Sequence, residues 1–103
     1  MAMEFGQFQA YVKQFSADHG WDQESLETRL CFLMTEVGEL AQAALRSGRE
    51  PEADGQKAAG LEIFDVIWNT VDVANHLGID IEQCLRDKMA INADRMWPVR
   101  SGE

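Results

Sequence analysis

The chain has 103 residues, enough for one domain and too few for two. Its 18 acidic and 9 basic residues give a formal net charge of −9. This charge argues against duplex nucleic acid as a partner, because such proteins need a cationic surface to displace counterions. A nucleotide substrate is not excluded, since carboxylates can hold phosphates through a bridging cation. No apolar run is long enough to span a membrane and the N-terminus lacks a signal-peptide pattern, so we expect a cytoplasmic protein with no membrane partner.

The first predicted element is an amphipathic helix that Gly20 ends. Its apolar face follows helical spacing and consists of Phe5, Phe8, Val12 and Phe15. Asp22 or Ser25 is suited to cap a second helix, which we predict from about Leu26 to Leu45. The predicted core stripe of this second helix follows the 3.6-residue period. It consists of Leu26, Leu30, Leu33, Met34, Val37, Leu40, Ala41 and Ala44.

Residues 46–56 contain two glycines, a proline and several charges, and this composition predicts a loop. A third helix is predicted over roughly residues 57–77, with a glycine at its end. A fourth begins after the capping residue Asp80 and ends near Met96 or Trp97, before a proline. No segment alternates with period two over a useful length. The sequence therefore predicts a single all-α domain, a compact bundle of about four helices.

One stripe of the third helix is polar and consists of Glu62, Asp65, Asn69, Asp72 and His76. A solvated face is the usual explanation for such a stripe. However, the stripe contains no Lys or Arg, so Glu62 and Asp65 would repel each other three residues apart. A bound cation would remove this repulsion. The apolar residues on both flanks also cover an arc too wide for a helix that packs on one side only.

The second helix carries a matching pair, Glu36 and Glu39, on a face away from its predicted core stripe. Helices joined by a short connection usually pack antiparallel, so the two acidic pairs can face each other. Four converging carboxylates would form a hard-oxygen site suited to Mg²⁺ or Mn²⁺. On spacing alone a solvated surface explains these residues equally well, because such pairs are common on helices.

The fourth helix adds cationic and amide groups, Lys88, Asn92 and Arg95, at helical spacing. They lie near an apolar face that we expect to point inward, consisting of Ile81, Leu85, Met89 and Met96. A single long cationic residue at such a place usually snorkels to solvent. Three polar groups in register favour contacts with phosphate, for which Lys is a good point-charge partner.

Together these residues resemble the MazG-like, all-α NTP pyrophosphohydrolases. The segment Glu36-Val-Gly-Glu39, followed by Glu62-Ile-Phe-Asp65, resembles the family's ExxE…ExxD signature. The pair Lys88 and Asn92 is similar to one in the family's closing helix that contacts the triphosphate. The segment 15–21 resembles the dCTP pyrophosphatase branch, in which a Trp helps to enclose the base. The resemblance spans nearly the whole chain.

The resemblance implies Mg²⁺-dependent hydrolysis of a (deoxy)nucleoside triphosphate to the monophosphate and pyrophosphate, with nucleotide-pool housekeeping as the role. Mn²⁺ is a possible substitute. It also implies a homodimer or homotetramer, because family members are dimers or dimers of dimers. The implied metal ligands are Glu36, Glu39, Glu62 and Asp65, with Glu36 or Glu39 acting on the attacking water. The implied substrate contacts are Lys88, Asn92 and Arg95 to phosphate, and Trp21 and Asn69 near the base.

Two departures from the family pattern concern base recognition. Asn69 stands where many relatives have an aromatic residue, and Arg46 stands where the dCTP-specific branch has one, so that branch's base preference is not carried over. Trp21 is equally compatible with a packing role between helices. Two other functions stay open: a phosphoribosyl-ATP pyrophosphohydrolase and a non-catalytic helical interaction module. A ferritin-like di-iron bundle is disfavoured, because neither His19 nor His76 lies three residues after a Glu.

Overall fold

The structure is a computed structural model that describes residues 3–49 and 53–100. Within this part of the chain there are four α-helices and one short 3₁₀ turn, and no strand. Their bounds in chain order are α1 (Phe5–Asp18), the 3₁₀ turn (Trp21–Gln23), α2 (Leu26–Arg49), α3 (Ala53–Leu77) and α4 (Ile81–Asp94). The all-α prediction is confirmed. None of the described helices is long and apolar enough to cross a membrane.

The predicted helix ends are confirmed where the sequence carries capping chemistry. Gly20 and Gly78 adopt left-handed conformations, with φ of 74° and 71°, which end α1 and α3 at little steric cost. The Ser25 hydroxyl accepts a hydrogen bond from the backbone N–H three residues later at 3.1 Å. The Asp80 carboxylate does the same at the start of α4 at 3.2 Å.

The long helices extend further than the sequence suggested. Residues 46–49 continue α2 and residues 53–56 begin α3, so the predicted loop over 46–56 is wrong at both ends. Its middle, residues 50–52, lies outside the described residues. Gly48 has an ordinary negative φ inside α2. A helical glycine costs only about 1 kcal/mol relative to alanine, which is too little to stop a helix by itself.

The fourth helix is shorter than predicted and ends at Asp94 instead of Met96 or Trp97. Arg95 already has an extended backbone, with φ −86° and ψ 137°. The indole of Trp97 folds back and donates to the backbone oxygen of Asn92 at 2.9 Å, which satisfies a carbonyl of the last turn. Trp97 also precedes a proline, and that position disfavours helical geometry.

The main contacts between helices are those of α2 with α3, of α1 with α3 and of α4 with α1. Val12 of α1 and Val71 and Ala74 of α3 are the buried apolar residues of the described chain. The ring of Trp68 on α3 lies edge-on to three aromatic rings of α1 at centroid distances of 5.3–6.2 Å. These rings belong to Phe8, Tyr11 and Phe15. The core therefore lies between α1 and α3.

The start of α4 is attached to α1 by hydrogen bonds that involve main-chain atoms. The side chain of Gln9 donates to the backbone oxygen of Ile79 at 2.6 Å and accepts from the backbone N–H of Ile81 at 3.0 Å. The carboxylate of Glu82 accepts from the backbone N–H of Gly6 at 2.8 Å. These contacts fix the turn between α3 and α4 against the first helix.

The predicted core stripe of α2 is largely wrong. Leu30, Met34 and Val37 are exposed, and Met34 reaches 67%. The side of α2 that faces α3 is half-buried and consists of Leu26, Leu33, Glu36, Leu40, Ala43 and Ser47. Arg29 determines which side of α2 faces α3, because it is only 5% exposed and pairs with Asp72 of α3. With Arg29 on the inner side, the apolar stripe that contains Leu30, Met34 and Val37 faces outward.

The predicted inward face of α4 is also wrong beyond its first turn. Ile81 and Glu82 are half-buried, whereas all residues from 83 to 100 are exposed, including Met89 at 69% and Met96 at 95%. Because α4 packs against α1, the rest of its surface is open to solvent in a single chain. The radius of gyration is 16.7 Å, against about 13 Å for a spherical domain of this length.

Candidate functional site

The structure brings together three of the four predicted carboxylates at the α2–α3 contact. Ligand oxygens of Glu36 on α2 and of Glu62 and Asp65 on α3 all lie within 4.8 Å of one another. All three side chains are half-buried, because they occupy the facing sides of the two helices. We refer to these three residues as the carboxylate cluster. Glu39 lies one turn further along α2 and is exposed.

Two oxygens of the carboxylate cluster have no hydrogen-bond partner. Glu36 Oε2 and Glu62 Oε2 are buried, and they are the buried side-chain atoms of the described residues that have no partner. Ion pairs within the described ranges join Arg29 to Asp72 and Arg86 to Glu82, so neither pair neutralises the cluster. A buried acceptor without a partner is costly, and a carboxylate more so. The cluster is therefore arranged to receive a cation or protons.

Burial and the nearby negative charges shift pKa values in the carboxylate cluster. Burial, followed by the charge of nearby Glu39, raises the pKa of Glu36 from 4.5 to about 6. Burial and the charges of Glu39 and Asp65 also raise the pKa of Glu62. Glu39 is thus close enough to interact with both residues, although it lies outside the tight group.

The residues fit a hard divalent cation. Mg²⁺ binds oxygens at roughly 2.0–2.1 Å, so oxygens on opposite sides of one ion lie about 4.2 Å apart. The spacing within the carboxylate cluster accommodates such an ion with water completing its shell. The donors are carboxylate oxygens from both helices, which suit Mg²⁺ or Mn²⁺ and not a soft metal. The metal assignment made from the sequence stays a prediction.

In the metal-free protein, we expect thermal stability to fall as the pH rises from about 4.5 to above 6. The folded state holds the proton of Glu36 to about pH 6, whereas the ordinary pKa is 4.5. The stabilisation is therefore complete below the lower value and is lost as the pH passes the higher one. Melting temperatures in EDTA across this range measure the effect.

Glu36→Gln is the matched control for this pH dependence, because it keeps the side chain's shape and removes its titration. The slope of melting temperature against pH should become shallower in the variant, while contributions from the other acidic residues remain. Equal slopes in both proteins would show that the assignment of this pKa is wrong.

An aromatic pocket of about 370 Å³ lies next to the carboxylate cluster. Its lining includes Trp21, Phe32, Trp68 and Asn69. Phe32 precedes Glu36 by four residues on α2, and Asn69 follows Asp65 by four residues on α3. Four residues correspond to about 6 Å along a helix. The aromatic pocket therefore lies about one helical turn from the carboxylate cluster along the α2–α3 contact, which we call the α2–α3 groove. Both predicted base contacts, Trp21 and Asn69, line the aromatic pocket.

Arg29 holds one wall of the aromatic pocket in place. Its guanidinium pairs with the carboxylate of Asp72, and its Nε and Nη2 donate to the backbone oxygens of Glu24 and Trp21 at 3.1 and 3.0 Å. The hydroxyl of Ser16 donates to the other oxygen of Asp72 at 3.5 Å. Arg29 thereby ties the 3₁₀ turn that carries Trp21 to α3.

Arg29 is not among the site residues predicted from the sequence, and Asp72 was predicted only as part of the polar stripe of α3. One feature of the sequence could have identified Arg29 as buried. It lies in helical register with Leu26 and Leu33 on α2, which is an unusual place for a solvated cation. His76 is exposed. Trp68 both packs on α1 and lines the aromatic pocket.

The structure does not bring the three polar residues of α4 to the carboxylate cluster of the same chain. Lys88 and Asn92 are exposed on α4, which packs against α1 and not along the α2–α3 groove, and Arg95 is exposed just after the end of α4. The guanidinium of Arg95 lies over the ring of Trp97, 4.3 Å from its centroid. The phosphate contacts of these residues stay predictions.

Comparisons with known proteins bear on the chemistry of the groove. No model of a known protein family matches the chain. The chain is 35% identical over 65 residues to a dATP/dGTP diphosphohydrolase of Cyanophage S-2L, and the match covers 63% of this chain and 51% of that protein. It therefore spans about half the length of that relative. It is 29% identical over 93 residues to the uncharacterized protein YvdC of Bacillus subtilis (strain 168), with 82% of this chain and 88% of that protein covered. The chain is thus similar, over part of its length, to a nucleotide diphosphohydrolase.

Proposed function

We propose that the protein hydrolyses (deoxy)nucleoside triphosphates to the monophosphate and pyrophosphate, with Mg²⁺ as the cofactor and Mn²⁺ as a substitute. The observation that carries this proposal is the carboxylate cluster, with two buried oxygens that lack partners, directly beside an aromatic pocket. The similarity to a dATP/dGTP diphosphohydrolase supports nucleoside triphosphate hydrolysis in general terms. Nucleotide-pool housekeeping is the cellular role we propose.

Glu36, Glu62 and Asp65 would hold the divalent ion, which when bound neutralises phosphate charge and lowers the pKa of water. Glu39 is exposed and lies outside the tight group, so its carboxylate is free to accept a proton from the attacking water. The water oxygen forms a bond to the α-phosphorus, the bond to the bridging oxygen of the β-phosphate breaks, and pyrophosphate leaves. Of the two catalytic candidates, geometry favours Glu39 for the proton and Glu36 for the metal.

The aromatic pocket would hold the nucleobase. Stacking on an aromatic side chain is worth about 1–3 kcal/mol per base and tolerates any base, because every base has a π-face. The offset of about 6 Å between the aromatic pocket and the carboxylate cluster follows the helix rise. It lets a nucleotide lie along the groove with its base between Phe32 and Asn69 and its phosphates beside the carboxylates.

The experiment that tests this function is a substrate panel with purified protein. The protein is incubated with ribonucleoside triphosphates, deoxyribonucleoside triphosphates or phosphoribosyl-ATP, in the presence of Mg²⁺ or EDTA. The release of phosphate and of pyrophosphate is measured separately. We expect Mg²⁺-dependent release of pyrophosphate from triphosphates. Cleavage of phosphoribosyl-ATP alone would show that the protein is a phosphoribosyl-ATP pyrophosphohydrolase instead. No Mg²⁺-dependent pyrophosphate from any substrate would support the non-catalytic interaction module instead.

We also propose that the protein is a homodimer or a dimer of dimers, and that α4 of one subunit lies near the carboxylate cluster of another. Charge complementarity supports this arrangement, because within the described chain neither the cluster nor Lys88 and Arg95 form an ion pair. The outward apolar residues of α2, such as Met34 and Val37, and the exposed Met89 of α4 would be covered by the same contact.

Val37→Glu is expected to dissociate the oligomer, because it places a charge in the outward apolar stripe of α2. Light scattering coupled to gel filtration should show a multiple of 11.6 kDa for the wild type and the single-chain mass for the variant. Gln42→Glu is the control, since it adds the same charge at an exposed polar position of the same helix. A wild-type protein that is monomeric at tens of micromolar would contradict the proposed assembly.

A further inference from the structure

We infer that Arg29 is a positioning residue for the proposed reaction. It fixes the backbone of Trp21, and through Trp21 it determines how tightly the nucleobase is held, without taking part in the cleavage of the phosphate chain. This inference rests on the proposed function, because it concerns the binding of the same substrate.

The indole of Trp21 has few contacts that hold it in place. Its side chain is 48% exposed, and the rings of Phe15 and His19 lie beside it at centroid distances of 5.5 and 5.0 Å. The 3₁₀ turn that carries it follows Gly20, whose positive φ marks the end of α1. The position of the indole therefore depends on where the turn places the backbone of Trp21.

Arg29 connects this backbone to another wall of the aromatic pocket. Its guanidinium donates to the backbone oxygen of Trp21 at 3.0 Å and pairs with the carboxylate of Asp72 on α3. The same helix carries Trp68 and Asn69, which also line the pocket. Arg29 thus bridges the two walls that belong to the 3₁₀ turn and to α3, and it helps to set the distance between them.

Arg29 itself lies away from the reacting atoms. It precedes Glu36 by seven residues, which is about 10 Å along α2. Three of its five N–H groups donate to protein acceptors. The other two have little access to a ligand, because the residue is only 5% exposed. The exposed group is the indole of Trp21, so Arg29 acts through it.

A residue of this kind should affect binding more than chemistry. Stacking of one base on an aromatic ring is worth about 5- to 150-fold in affinity. This contact is the same before and during cleavage of the phosphate chain, and an interaction made equally in both states lowers KM without raising kcat. Loss of the donors of Arg29 should therefore raise KM and leave kcat nearly unchanged.

The test compares kcat and KM of the best triphosphate substrate in the wild type and in Arg29→Lys. Lysine keeps a positive charge opposite Asp72, but its ammonium group does not reproduce the planar fork that also reaches the backbone of Trp21. We expect KM to rise by about 5- to 10-fold and kcat to stay within about twofold. An unchanged KM, or a fall in kcat alone, would overturn the inference.

Arg86→Lys is the matched control. It makes the same chemical change on α4, where Arg86 is 73% exposed and lies 4.0 Å from Glu82. Both kinetic constants should equal those of the wild type. A rise of KM in this variant as large as in Arg29→Lys would show a general effect of the substitution and would contradict the role of Arg29.

Combination with Trp21→Ala shows whether Arg29 acts through the indole. In that background Arg29→Lys should change KM by less than about twofold, because the group to be positioned is absent. If the effects of the two substitutions multiplied instead, Arg29 would act independently of Trp21, and the inference would be overturned.

A second variant separates positioning from stability. Arg29→Met combined with Asp72→Leu removes the donor to Trp21 without leaving a buried charge. Its KM should be raised about as much as in Arg29→Lys, although its melting temperature should be higher than that of Arg29→Met alone. A wild-type KM in this variant would show that the backbone contact has no effect on the substrate.

Binding without hydrolysis distinguishes failure of this inference from failure of the proposed function. Binding of dAMP, dCMP, dGMP and dTMP is followed by tryptophan fluorescence, since Trp21 and Trp68 line the pocket. Hydrolysis together with equal monophosphate binding in the wild type and Arg29→Lys would overturn the inference and leave the enzyme assignment intact. Absence of hydrolysis together with weaker binding in the variant would overturn the proposed function and support the role of Arg29. A wild type that binds none of the four would overturn the inference.

Discussion

Replacing Asp65 with asparagine should abolish Mg²⁺-dependent hydrolysis while leaving the metal-free protein at least as stable as the wild type. The variant removes one of the carboxylates that crowd within 4.8 Å, so the repulsion at the α2–α3 contact decreases. Changes to groups that merely support a metal ligand cost about 10- to 100-fold in activity, so loss of a ligand itself should cost at least about 100-fold. Pyrophosphate release and melting temperature in EDTA measure the two effects.

Comparison with Glu39→Gln separates metal binding from proton transfer. Both variants should lose turnover, but the rise of melting temperature with Mg²⁺ should disappear in Asp65→Asn and persist in Glu39→Gln. Asp54→Asn is the control, because it removes the same charge from an exposed position near the start of α3. Wild-type turnover in Asp65→Asn would exclude the carboxylate cluster as the catalytic site.

Arg29→Met is expected to destabilise the fold by about 3–5 kcal/mol, because it leaves the charge of Asp72 half-buried without its partner. The variant also removes the donors to the backbone oxygens of Trp21 and Glu24. For a domain of this size the loss corresponds to a fall in melting temperature of more than about 10 °C. Urea unfolding measures the free energy, and a loss below about 1 kcal/mol would contradict the anchoring role.

Two further variants define what the ion pair contributes. Arg29→Met combined with Asp72→Leu removes both charges and should recover much of the lost stability, since the isolated charge, more than the missing attraction, is what destabilises.

Arg86→Ala breaks the surface pair with Glu82, in which the atoms lie 4.0 Å apart and Arg86 is 73% exposed. It should change stability by less than about 0.5 kcal/mol.

The parts of the fold that local chemistry determines could be predicted from the sequence. Gly20 and Gly78 end helices because their backbone needs a positive φ, and Ser25 and Asp80 begin them because their side chains satisfy a free N–H. The spacing of the acidic residues also indicated correctly that carboxylates of α2 and α3 meet. The helix ends depend on residues within one or two turns of each other, whereas the meeting of the carboxylates follows from the antiparallel packing expected of helices joined by a short connection.

The rotation of α2 could not be predicted in this way. Its apolar stripe has the clearest helical period in the chain, yet Leu30, Met34 and Val37 face outward. Periodicity shows that a helix has an apolar face, but it does not show which part of the molecule that face contacts. The buried position of Arg29 depends on a partner on α3, 43 residues away, which no local pattern reveals. The same limit explains why Met89 on α4 and Met96 beyond its end are exposed.

The attachment of α4 through Gln9 has a consequence for how this architecture can diversify. Gln9 of α1 and Glu82 in the first turn of α4 bind main-chain atoms, so the direction of α4 depends little on the identity of its surface residues beyond that turn. Mutations along that surface can therefore accumulate without redirecting the helix. A lineage could alter its recognition properties there one substitution at a time, while the scaffold that carries the carboxylates stays unchanged.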